Sequence, residues 1–70
     1  MNRIPIRGAN LESYGYDRET NRFEIEMYGG QLYEYYGLPV EVYQGFVQAI
    51  SKDHYFELNI RDKFNRRKLR

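Results

Sequence analysis

The chain has 70 residues, a formal net charge of +1, no cysteine and a single histidine, His54. That length allows one domain, spanning residues 1–70, whose core buries only about 60% of the unfolded surface and is therefore marginal. Without cysteine there are no disulfides and no thiolate zinc sites, and with one histidine and no clustered acidic motif neither a metal nor another cofactor is expected.

No apolar run approaches the roughly 18 residues that a membrane-crossing helix needs. The start, "MNRIPIRGANLES", lacks the apolar stretch and small-residue cleavage site of a signal peptide. A soluble, cytoplasmic protein with no membrane partner is expected.

In chain order, residues 1–12 read as an extended lead-in, because Pro5 and Gly8 oppose a helix. "SYGY", Ser13 to Tyr16, reads as a short strand, and the turn formers of "DRETN" link it to the next one. "RFEIEMY", Arg22 to Tyr28, alternates Phe23, Ile25 and Met27 with Glu24 and Glu26, the period of two of a half-buried strand. Gly29-Gly30 marks a hairpin, and "QLYEYY", Gln31 to Tyr36, is the returning strand.

Loop length decides which tyrosines face inward. A two-residue Gly-Gly loop sets Ile25 opposite Glu34 and puts a carboxylate on the apolar face. A three-residue loop, Tyr28-Gly29-Gly30, sets Met27 opposite Gln31, Ile25 opposite Tyr33 and Phe23 opposite Tyr35. This form is a type I turn followed by a left-handed glycine in a G1 bulge. Burying an unpaired carboxylate is costly, so the longer loop is expected. The core motif is then Phe23, Ile25, Met27, Tyr33 and Tyr35. Glu24, Glu26, Leu32, Glu34 and Tyr36 fall on the other face, and Tyr28 and Tyr36 are the exposed rings.

"GLPVEVYQGFVQAI" follows. Pro39 suits a first helical turn, and Tyr43, Phe46, Val47 and Ile50 share a helix face at i, i+3, i+4 and i+7. Gly45 weakens a helix interior by about 1 kcal/mol against alanine and is expected to permit close approach to the sheet. Ser51 is the expected N-cap of a second helix, with Asp53 in its first turn and Phe56, Ile60 and Phe64 recurring along it. The fold class is α+β: a three-stranded antiparallel β-meander with two short helices packed on one face, in the order β-β-β-α-α.

Charge is unevenly spread. Residues 61–70 hold Arg61, Lys63, Arg66, Arg67, Lys68 and Arg70 against Asp62, whereas residues 1–60 hold five bases and nine acids. Residues 65–70 read as a basic C-terminal tail, either a handle for polyanions or a frayed, solvated end.

The motifs "SYGYD", "FEIEMYGGQLYEYYGLP", "ISKDHYF" and "NIRDKF" resemble the KTSC domain, from about Ile4 to Leu69. That family is named for its occurrence at the C-terminus of some lysyl-tRNA synthetases and also occurs as small bacterial and phage-type proteins. The resemblance implies a largely uncharacterised function, with RNA binding argued mainly from the synthetase association. Two departures stand out: Gly29-Gly30 where the family commonly has Asn-Gly, and Asp53 where it commonly has glycine.

No catalytic constellation is expected. Ser51, Asp53 and His54 are neighbours in sequence, but a triad is assembled in space, and a capping serine and a helix-surface histidine account for them. A non-enzymatic binding module remains. In one reading it binds RNA, single-stranded or tRNA, weakly and without strict sequence preference. Arg61, Lys63, Arg66, Arg67, Lys68 and Arg70 then contact phosphates, and Tyr36, Tyr28 or Tyr55 stacks on bases. In the other it is a protein-interaction module, an adaptor or inhibitor, whose acidic tyrosine face carries Glu24, Glu26, Tyr28 and Tyr36. A monomer and a homodimer both remain open.

Overall fold

The structure is a computed structural model that describes residues 3–8 and 10–70. Its strands are β1 (Ile4–Pro5), β2 (Leu11–Asp17), β3 (Arg22–Met27), β4 (Leu32–Tyr35) and β5 (Arg66–Lys68), and helices α1 (Val40–Gln48) and α2 (Lys52–Asn59) lie between β4 and β5. The strands form one antiparallel sheet in sequence order, β1 to β5. The α+β class holds, but the described residues form five strands rather than three. Both additional strands lie where the sequence lacks a hydrophobic alternation: β1 pairs only two residues, and β5 is Arg66-Arg67-Lys68. The first expected strand also begins earlier, at Leu11, which is buried.

The β3–β4 hairpin has the expected register, with Phe23 opposite Tyr35 and Ile25 opposite Tyr33. The Met27 amide donates to the Gln31 carbonyl at 2.8 Å, and the Gly30 amide to the Met27 carbonyl at 3.1 Å. Gly29 and Gly30 both have positive φ, +99° and +87°. A positive φ at the second central residue makes the turn type II, not the expected type I; the left-handed glycine at position 30 is as anticipated.

The helices cover the face that carries Phe23, Ile25 and Tyr35, all fully buried. Rings meet edge-on across this core: Phe46 lies 5.1 Å from Tyr14 and 5.2 Å from Phe23, and Phe56 lies 5.9 Å from Tyr35. Edge-to-face packing of this kind adds to the area that aromatic rings bury, which suits a chain rich in tyrosine. Tyr33 and Met27 are half-buried at the rim.

The Gly37-Leu38-Pro39 segment is pinned to the β2–β3 turn. Asn21, in the left-handed region at φ 56°, donates its side-chain amide to Tyr16 Oη and to the Leu38 carbonyl, and Tyr16 Oη donates to the same carbonyl at 2.7 Å. Pro39 is the N-cap of α1, just before the expected first turn.

The buried side of α1 is Phe46 flanked by Val42 and Tyr43, while Val47 and Ile50 are exposed. The helix stops at Gln48, so Ile50 lies beyond it and the expected face is cut short. In α2, Ser51 caps by accepting from the His54 amide at 3.2 Å, as expected, and Phe56 is buried. Ile60 and Phe64 pack on the core from beyond the helix end. Gly45 does allow a close approach, but to α2 rather than to the sheet. A Cβ there would collide with the Tyr55 hydroxyl and ring. That hydroxyl donates to the Val42 carbonyl at 3.0 Å, and the ring sits edge-on to Phe46.

Gly45→Ala is therefore expected to destabilise the protein by about 1–3 kcal/mol, the range for overpacking, despite alanine's better helix propensity. Urea unfolding checks this, and a stabilised variant would show that the helices separate without cost.

Candidate nucleic-acid interface

The last residues are not a tail. β5 pairs antiparallel with β4, setting Tyr33 opposite Lys68, Glu34 opposite Arg67 and Tyr35 opposite Arg66. The Tyr36 amide donates to the Asn65 carbonyl, and Leu32 shares backbone bonds with Leu69 and Arg70. This register sorts the cations. Residues directly opposite share a face, so Arg66 and Lys68 join Tyr35 and Tyr33 on the helix side, and Arg67 joins Glu34 on the outer side.

On the outer side the expected acidic face is laced with guanidinium groups. Arg3 reaches Glu24 at 2.6 Å and Glu26 at 3.7 Å, and Arg70 reaches Glu26 at 2.6 Å. Glu34, only 4% exposed, is held by Arg22 at 3.2 Å, by Arg67 at 3.6 Å and by the Tyr36 hydroxyl, which donates at 2.7 Å. Three carboxylates thus meet four guanidinium groups, and the face is neutralised rather than acidic. Tyr36 remains partly exposed with its hydroxyl engaged. Nothing in the sequence pattern signals Arg3, because a two-residue strand carries no periodicity. Arg22 was legible in principle, since the hairpin register brings it near Glu34.

On the helix side, Arg66 lies over the Tyr33 ring, 5.1 Å from its centroid, and donates to Tyr35 Oη at 3.3 Å. Tyr35 Oη in turn donates to the Arg61 carbonyl at 3.2 Å, which ties β4 to the segment after α2 and steadies the Arg66 guanidinium. Arg61 pairs with Glu57 at 2.9 Å, an exposed i,i+4 contact. Lys63, Arg66 and Lys68 form no ion pair among the described residues.

A cleft of about 290 Å³ opens beside Arg61 and Arg66. The hairpin supplies Met27, Tyr28, Gln31 and Tyr33 to its lining, α2 supplies the carboxylate of Glu57, and Asn10, Arg61 and Arg66 join them. Tyr28 is 54% exposed. Of the rings expected to stack, Tyr28 thus lies beside the cations, Tyr36 belongs to the outer side with Glu34, and Tyr55 is spent between the helices. Nothing in the sequence pattern singles out Asn10, Gln31 or Tyr33 as cleft residues, because their meeting depends on how α2 lies across the hairpin.

Ser51 and Asp53 have structural roles. Ser51 is the helix cap, and Asp53 Oδ2 accepts from the Asn10 amide at 3.0 Å with α2 running unbroken through it. Gly8 makes room for that carboxylate, since a Cβ at Gly8 would collide with it. No helix among the described residues is long and apolar enough to cross a membrane.

The KTSC domain model matches residues 8–64, from the lead-in through the segment after α2. The chain belongs to the KTSC domain family. The crystal structure of a KTSC domain protein from Yersinia pestis superposes with a TM-score of 0.92 at 34% identity, covering 99% of this chain and 97% of that one. An uncharacterised protein of Stutzerimonas stutzeri is 38% identical over 56 residues, 80% of this KTSC chain and 79% of its own length. A lysine–tRNA ligase of Trichormus variabilis is 33% identical over 57 residues, 81% of this chain, but the match spans only 10% of the ligase.

Burial pushes the phenols of Tyr35, Tyr14 and Tyr43 above their ordinary value of about 10. The folded state holds these protons more tightly than the unfolded one. Their contribution to stability is whole below pH about 10 and is lost as pH rises through the higher folded values. Urea midpoints measured from neutral pH upward are expected to fall above that point, less steeply in Tyr35→Phe. An equal slope in the variant would mean that Tyr35 does not contribute to this loss.

Proposed function

We propose that the domain binds RNA, single-stranded or looped, through the helix side of β5 and the segment that precedes it. Arg66, Lys63 and Lys68 are the phosphate contacts, with Arg61 joining by letting go of Glu57. An exposed pair of that kind is worth only about 0–1 kcal/mol, so its release costs little. The observation that carries the reading is the sorting of cations by β5: Arg67 and Arg70 are consumed by Glu34 and Glu26, while Arg66 and Lys68 keep their charge on the side that holds exposed Tyr28. Cations with a neighbouring aromatic ring suit unpaired strands, where backbone charge gives affinity and rings take bases.

The kinship with a protein named for a tRNA supports the same reading as company. The role is non-enzymatic and belongs in the cytoplasm, in a bacterial or phage setting. The protein-interaction alternative keeps exposed Tyr28 but loses its acidic face, since Glu24 and Glu26 already have arginine partners.

Removing the last residues is a poor test, because it strips an edge strand from the sheet. Lys63→Gln with Lys68→Gln instead removes two charges outside the ion-pair network. Anisotropy titrations against labelled single-stranded RNA, tRNA and duplex DNA, from about 50 to 200 mM salt, should give a linear fall of log affinity with log salt. The double variant is expected to make the single-strand slope shallower by about 1.4, at about 0.7 per phosphate contact. No binding at the lowest salt, or an unchanged slope in the variant, would overturn the reading.

A further inference from the structure

We infer that the cleft between the β3–β4 hairpin tip and α2 is a subsite for one unpaired nucleotide of the bound strand. The inference rests on the RNA reading and specifies where a base is held. The cleft, about 290 Å³, lies at the lower end of the roughly 300–1,000 Å³ typical of small-ligand pockets. Tyr28, the exposed ring in it, offers a stacking surface for one base.

Its lining divides by chemistry. Tyr28 presents an exposed ring, and its backbone is anchored because its amide donates to the Asn10 carbonyl at 3.1 Å. The side-chain amides of Asn10 and Gln31 form no hydrogen bond among the described residues, and both residues line the cleft. Each offers a donor and an acceptor, the combination that reads a base edge. Arg66 supplies a cation that forms no ion pair among the described residues, held in place by Tyr33 and Tyr35 Oη, with Asp62 the carboxylate whose field reaches it. A base stacked on Tyr28, with its edge to the two amides and its amino group to the Glu57 carboxylate that also lines the cleft, and with its phosphate to Arg66, uses each of these groups. The ion-paired outer face offers no such set, since the Tyr36 hydroxyl and the carboxylates there are already engaged.

The test is a titration of the isotope-labelled protein followed by amide NMR. The probes are the four ribonucleoside 5′-monophosphates, with ribose 5-phosphate as the baseless control. Nucleotides are expected to cause saturable shifts at Tyr28, Gln31 and Asn10 that ribose 5-phosphate does not reproduce. Tyr28→Ala, at an exposed turn position, should keep the fold and weaken nucleotide binding by about tenfold or more, the loss expected for one stacking contact.

Shifts confined to Arg61 and Arg66 and matched by ribose 5-phosphate would overturn the base site. So would saturable binding unchanged by Tyr28→Ala, or no saturable binding of any nucleotide. A single-stranded oligonucleotide run in parallel separates the two failures. If it binds with the expected salt slope while Tyr28→Ala is indifferent, the subsite is wrong and the RNA reading stands. If it does not bind, both are wrong.

Discussion

The register of the β3–β4 hairpin is the constraint on which the rest of the protein depends. Side chains alternate along a strand, so a slip of one residue would exchange the two faces of β4. With Gly29 and Gly30 both at positive φ, the turn holds Phe23 against Tyr35 and Ile25 against Tyr33. Tyr35 then enters the core against Phe56, Glu34 turns outward to Arg22 and Arg67, and Tyr33 becomes the seat of Arg66. The returning strand β5 copies that alternation onto its own cations. One turn therefore decides both the core of a 70-residue chain and the side on which positive charge stays available.

A small core filled by rings also explains the tight helix pair. Tyr55 reaches across to the Val42 carbonyl, where only the absence of a side chain at Gly45 lets it pass. Ser51 and Pro39 define where the two helices begin, and Asn21 fastens the β2–β3 turn to the segment that leads into α1. Each device replaces some of the burial that so short a chain lacks.

The inner face of the hairpin was legible because carboxylates and apolar residues alternate in β3, and only the longer loop keeps Glu34 out of the core. The serine cap was legible from local chemistry. What was hidden depends on distant partners. Nothing in Arg66-Arg67-Lys68 reads as a strand; it pairs because β4 has an open edge beside it, and Glu34 and Glu26 draw Arg67 and Arg70 to the outer face. That pairing, together with Arg3 and Arg22, removes the acidic face that charges counted along the chain imply. Ile50 leaves its expected face because periodicity does not mark where α1 stops. Tyr55 is withdrawn from the surface by Gly45, a residue with no side chain to signal the contact. Among candidate site residues, the cations stand out in the sequence, but which of them remain uncompensated does not.

Ultraviolet crosslinking of the protein to a uridine-containing single-stranded RNA, with the attached residue located by tandem mass spectrometry, tests the central claim most directly: that RNA lies on the helix side of β5. Crosslinks at Tyr28 or Tyr33 are predicted. Crosslinks at Tyr36, on the ion-paired outer face, would contradict the account.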